Sequence, residues 1–187
     1  MTSLLLALAG LAGLGADYPA APILAEFDKA CAVSASHGRQ EEAIVAGGWT
    51  VHKSVSGGRL HSLVGAMTSQ SASLRFKTYQ KAVAGRTLHL LLTDSSTTDG
   101  AGRLSCVVYD FDAQSGVDPA QAREWAGRPA EMAEKSSGRS VMAWAPGLRP
   151  GHASDTIIFF APGAAKFGGV DFSGLVLSAK YKESGAE

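Results

Sequence analysis

The sequence predicts an α+β domain: an antiparallel sheet of five to seven strands, with N-terminal helices and one mid-chain helical segment packed on one face, closed by a single disulfide. Three observations predict it. Apolar residues recur with helical period near residues 22–36, and a capped helix start with a first-turn proline stands near residue 120. Between and after those stretches they alternate with period two, and short polar turns rather than long crossovers join the alternating segments. Finally, the chain contains two cysteines, Cys31 and Cys106, one in a helical stretch and one in an alternating stretch.

The elements follow in order. Residues 1–16 carry no charged side chain, and Leu4 to Leu14 is an apolar run well short of the ~20 residues that a spanning helix needs. Small residues follow at Gly13, Gly15 and Ala16, so residues 1–16 read as a secretory signal peptide lacking a basic start, with a buried helix of a cytosolic protein as the alternative. Residues 17–187 are then a single domain, expected in the periplasm or secreted. No second apolar stretch reaches spanning length, so no transmembrane segment is expected in the mature chain. In an oxidising compartment Cys31 and Cys106 default to one structural bridge; their spacing excludes a C-x-x-C redox pair and their number a zinc ribbon.

Pro22 to Ser36 reads as a helix with Leu24, Phe27 and Cys31 on its apolar face, stopped near Gly38. Gln40 to Ala46 is a second, short one, ended by Gly47-Gly48 before Trp49. Residues 50–73 resist assignment, and Leu60 to Met67 fits a short helix or a strand equally. From Leu74 the period becomes two: Leu74, Phe76 and Thr78 alternate with Arg75, Lys77 and Tyr79. Thr87 to Thr93 and Leu104 to Phe111 are stronger strands, joined by the polar loop Asp94 to Arg103. Asp118-Pro119-Ala120-Gln121 opens a helix with a cap and a first-turn proline, running to about Gly127. Pro129 to Lys135 fits a further helical turn stopped at Gly138. Arg149 to His152 reads as an exposed hairpin tip. Ser140 to Ala145, Thr156 to Ala161 and Gly174 to Lys182 complete the strands; in the last, Leu175, Leu177, Ala179 and Tyr181 share a face opposite Ser178 and Lys180, as in a sheet with one wet side.

Composition narrows function by exclusion. The 187 residues hold 17 basic and 17 acidic side chains, and no two Lys or Arg are adjacent, which argues against a nucleic-acid partner or an anionic membrane. No G-x-S-x-G, no phosphate-cradling G-x-x-x-x-G-K-[ST] and no H-E-x-x-H occurs. No cofactor is expected. Three side chains remain as weak candidates. Asp110 and Asp112, two apart in Tyr109-Asp110-Phe111-Asp112, could hold a hard cation or act as an acid/base pair, although Gln114 and Ser115 break an EF-hand pattern. Their ordinary alternative is a turn in which Asp110 meets solvent or a backbone amide. His89 lies on the face opposite Leu88 and Leu90, where a lone histidine is usually structural. Phe159, Phe160, Phe167 and Phe172, with glycines between them, could line an apolar ligand pocket or form the core of the last hairpin.

With the early helix bearing Cys31, Gly48-Trp49, the hairpin after Arg86 and Cys106-Val107-Val108-Tyr109-Asp110-Phe111 in view, the chain resembles uncharacterised exported proteins of alphaproteobacteria. The resemblance implies export and brings no activity or site residue with it. The sequence therefore favours a non-enzymatic binding or interaction module for an unidentified protein or small molecule. Its competitors are a small metal-assisted periplasmic enzyme using Asp110, Asp112 and a nearby histidine, and an envelope-interaction protein with an exposed apolar patch.

Overall fold

A computed structural model describes residues 18–32, 36–53, 58–68, 73–96, 102–167 and 169–182. The expected signal peptide, 1–16, lies outside the described residues. The elements are α1 (Ala20–Cys31), α2 (His37–Ala46), β1 (Thr50–Val51), α3 (Arg59–Thr68), β2 (Ser73–Val83), β3 (Arg86–Ser96), β4 (Gly102–Asp110), α4 (Pro119–Ala126), β5 (Met132–Ser136), β6 (Arg139–Trp144), β7 (His152–Phe167) and β8 (Val170–Tyr181). The strands form one antiparallel sheet in the order β1-β2-β3-β4-β8-β7-β6-β5. Two four-stranded meanders thus meet where β4 pairs with β8.

The sheet has eight strands, not five to seven. One addition is the two-residue β1, too short to show a period. The other is β5, where the expected helical turn at Pro129 to Lys135 is overturned. Ala, Glu, Met and Lys favour helix, but Gly138 adopts φ 77° and turns the chain back, so that Met132 to Ser136 pairs along β6. The α4 signals act as read: Asp118 accepts hydrogen bonds from the Ala120 and Gln121 amides, Pro119 opens the helix, and Gly127 closes it at φ 69°. The β2–β3 turn is Ala84-Gly85, both left-handed at φ 48° and 76°, the two-residue turn whose twist suits a hairpin.

The helices do not all lie on one face, and the sheet is not wet on the other. Leu88, Leu90, Leu92, Cys106, Val108, Leu175 and Leu177 share a core with α1, α2 and neighbouring loops. On the opposite face Leu91, Val107, Tyr109, Phe160, Phe172 and Val176 pack with Leu60, Leu63 and Val64 of α3. The unassigned segment 50–73 therefore supplies the second layer. Cys31 and Cys106 are bridged, with Cα atoms 5.7 Å apart, both sulfurs inside the first core. This bolts the end of α1 to the middle of β4.

His152, expected at an exposed tip, is buried instead. Its Nδ1 faces the Asp155 carboxylate at 2.8 Å and its Nε2 faces the Cys31 carbonyl at 2.9 Å, which also accepts from the Tyr181 hydroxyl. Both nitrogens meet acceptors, so this dyad ties the start of β7 to the end of α1 and has no free nitrogen to offer a substrate.

Candidate functional site

Asp110 closes β4, and the end of β4 is where the paired-carboxylate idea is decided. Its side chain is 2% exposed. One carboxylate oxygen, Oδ2, accepts from Arg86 Nε at 2.8 Å and from the Tyr18 hydroxyl at 3.1 Å. The other accepts from Arg86 Nη2 at 2.9 Å and from the Asp112 amide at 3.1 Å. Four donors occupy the carboxylate's acceptor sites. Burial, with the Asp110 carboxylate alongside, pushes the Tyr18 phenol well above its ordinary range. Asp112 has left the strand: it is exposed and paired with Arg59 at 2.6 Å. Arg59 also donates to the Phe111 carbonyl at 2.7 Å, fixing the start of α3 to the turn after β4. The two carboxylates therefore hold different elements and do not face a common point.

His89 projects with Leu91 toward the α3 side. Its ring lies 5.4 Å from that of His52, edge-on, and 5.3 Å from that of Phe111. Its Nδ1 is buried without a hydrogen-bond partner. Burial first, then the neighbouring His52, hold this imidazole below the ordinary histidine value, so it is neutral near pH 7. Among the described residues no group of three or more His, Cys, Asp or Glu side chains is placed to hold a metal ion.

What the fold does assemble on this face is a pocket. Leu60, Leu63, Val64 and Met67 recur at the helical spacing and turn one stripe of α3 toward the sheet. Over β4, β7 and β8 the fit is incomplete, because α3 places the small Ala66 opposite large aromatics. The result is a cavity of about 250 Å³ lined by Leu63, Ala66 and Met67 from α3 and by Tyr109, Ile158, Phe160, Phe172 and Val176 from the sheet. Its aromatic wall is ordered by ring contacts. Tyr109 stacks on Phe111 with centroids 5.4 Å apart and planes 4° from parallel, and Phe172 stands edge-on to Tyr109 and Phe160.

One polar group belongs to this apolar lining. Tyr109 is 5% exposed, and among the described residues its hydroxyl has no hydrogen-bond partner. Burial pushes its phenol far above the ordinary range, so it remains a protonated donor. Of the four phenylalanines read from the sequence, Phe160 and Phe172 line the pocket. Phe159 points to the other face and packs against the first core, and the side chain of Phe167 lies outside the described residues. Leu63, Ala66 and Met67 were missed; the 3–4 spacing from Leu60 to Met67 was the available signal. Tyr109 was legible only as a residue on the face opposite Asp110.

A second, larger cleft of about 780 Å³ runs between the loop at 114–118 and the β5–β6 hairpin. Asp118, Glu134, Lys135 and Arg139 line it with charges of both signs above a floor that includes Val117 and Phe159. Those charges are exposed and solvated, whereas the α3 pocket joins an apolar lining to the single hydroxyl of Tyr109, the combination that characterises small-molecule sites. The α3 pocket is therefore the candidate site. No protein family, curated protein or solved structure matches the chain.

Proposed function

We propose that the chain is an exported, non-enzymatic binding module whose ligand is a small, mainly apolar molecule held between α3 and the sheet. The observation that carries this reading is the roughly 250 Å³ apolar pocket with the unpartnered Tyr109 hydroxyl in its wall. The described residues that line it include no His, Cys, Asp, Glu or Lys, a lining that supports retention of a molecule rather than chemistry on it. The metal-assisted alternative is weaker where Asp110 is saturated by Arg86, Tyr18 and the Asp112 amide. The buried Cys31–Cys106 bridge supports an oxidising compartment.

The test is calorimetric titration of the full chain with isopropylbenzene, repeated on Ala66→Trp, which fills the pocket, and on Glu134→Ala in the larger cleft. Saturable one-site binding lost in Ala66→Trp and kept in Glu134→Ala is expected. Binding that survives Ala66→Trp removes the reading. Export has a separate check: chain recovered from the cell envelope should lack residues 1–15 or 1–16 and weigh two hydrogens less than the reduced form.

A further inference from the structure

The binding reading leaves open what kind of molecule the α3 pocket would choose, and this inference rests on that reading. A ligand that covers a tyrosine hydroxyl without accepting from it takes that donor out of water with nothing returned. Tyr109 carries the one hydroxyl among the described residues that line the pocket. Its ring is held by the parallel stack on Phe111 and the edge contact with Phe172, so its hydroxyl is a fixed donor within a lining that is otherwise apolar.

Charge is the second constraint. Among the described residues no basic side chain lines the pocket. Arg59 borders the small crevice next to it, which shares Leu63 and Phe172, but its guanidinium is already committed to the Phe111 carbonyl and Asp112. A carboxylate entering the pocket would shed water with no cation to receive it. Size is the third. An apolar cavity of roughly 150 Å³ takes up benzene, so about 250 Å³ suits one ring bearing a short substituent.

We propose that the pocket under α3 selects an uncharged ligand with an apolar body and a single hydrogen-bond acceptor, and that Tyr109 determines this specificity by donating its phenolic hydrogen to that acceptor. Ketones, esters and alcohols of single-ring size have this chemistry. Saturated hydrocarbons lack the acceptor, and carboxylates bring the wrong charge.

Three probes of nearly equal shape separate these terms: acetophenone, isopropylbenzene and benzoate. Each is titrated calorimetrically into the full chain and into Tyr109→Phe. Acetophenone and isopropylbenzene are expected to bind the native chain, and benzoate to bind at least tenfold more weakly than acetophenone, as expected for a buried unpaired charge. Tyr109→Phe should weaken acetophenone by about three- to tenfold, the value of one net hydrogen bond, and leave isopropylbenzene unchanged. Independently of any variant, nuclear Overhauser contacts should join the acetophenone methyl group to the Tyr109 ring protons. A loss of affinity shared by ketone and hydrocarbon, an unchanged acetophenone affinity in Tyr109→Phe, benzoate binding as tight as acetophenone, or contacts that place the ketone away from Tyr109 would each overturn the specificity proposal while leaving the pocket reading standing. If neither neutral probe binds the native chain, the binding reading itself falls.

Discussion

The two faces of the sheet are covered in different ways. On the first face, α1, α2 and α4 are joined to the strands and loops by directional bonds at many points. The Cys31–Cys106 bridge, the Glu26 carboxylate accepting from Trp49 and Lys81, the Asp28 carboxylate accepting from Trp125 and Arg149, and the His152–Asp155 dyad under the Cys31 carbonyl all lie there. On the second face the ten-residue α3 is tied at its start through Arg59 and otherwise meets the sheet with apolar side chains. Directional bonds admit few arrangements, so the first face is closely specified, and the larger cleft at its border is lined by exposed charges. Apolar contact tolerates mismatch in volume, and the second face keeps an unfilled apolar space. The difference teaches where this fold can accommodate an apolar guest.

Four measurements break or sharpen that contrast. The largest effect is expected from replacing both cysteines by alanine. The bridge closes a loop spanning 75 positions, worth roughly 4.5 kcal/mol by the chain-entropy argument, and denaturant unfolding should show most of that loss. If the two faces are independent, the surviving folded fraction still binds isopropylbenzene; loss of binding in that fraction would show that α1 and α3 are coupled through the sheet.

Arg86→Ala comes next. It leaves the Asp110 carboxylate, 2% exposed, with only the Tyr18 hydroxyl and one amide as donors, and a stability loss of about 3 kcal/mol is expected from an uncompensated buried charge. A loss under about 1 kcal/mol, the range of solvated surface pairs, would mean that water replaces the guanidinium and that this end of β4 is looser than its contacts imply.

Truncation of matched leucines compares the faces directly. Leu90→Ala in the first core should cost about 3–4 kcal/mol, and Leu63→Ala beside the pocket about 2 kcal/mol, because a space already present adds less new cavity. Equal losses would contradict the contrast in packing.

The smallest effect concerns pH. The folded protein holds the His89 proton more weakly than the unfolded chain does, so the unfolded state protonates first as pH falls. His89 therefore contributes stability that is intact above its ordinary value of 6.5 and declines as pH drops through that value toward its lower folded value. Unfolding midpoints from about pH 7.5 to about pH 5.5 should fall less steeply in His89→Gln than in the native chain. Identical slopes would assign the dependence elsewhere.

The first face was the more legible in the sequence, for reasons visible in particular residues. Cys31 falls on the same helical stripe as Leu24 and Phe27, and Cys106 alternates in step with Val108, so two local periods were enough to aim both sulfurs at one core. The α3 stripe was harder to see, because His61, Ser62 and Gly65 interrupt a helix of under three turns. The partner of Asp110 could not be read at all: Arg86 lies 24 positions away, and only the hairpin register brings the two together. The pocket was less legible still. It comes from the volume missing between Ala66 and the aromatic wall, and an unfilled volume leaves no pattern in a chain. The helix expected at Pro129 to Lys135 failed for the opposite reason, since local propensity was clear and pairing with β6 overrode it.

The pairing of β4 with β8 also orders events in time. β8 is the last of the described strands and sits in the middle of the sheet, between β4 and β7. Until Val170 to Tyr181 has been synthesised, the β1–β4 meander ends in an open edge at β4 and has no strand pairing with β5–β7. Such a partner, distant in sequence, makes folding slow relative to helical proteins of similar size. A domain whose central strand comes late keeps an unpaired edge exposed while the rest of its sheet is being made.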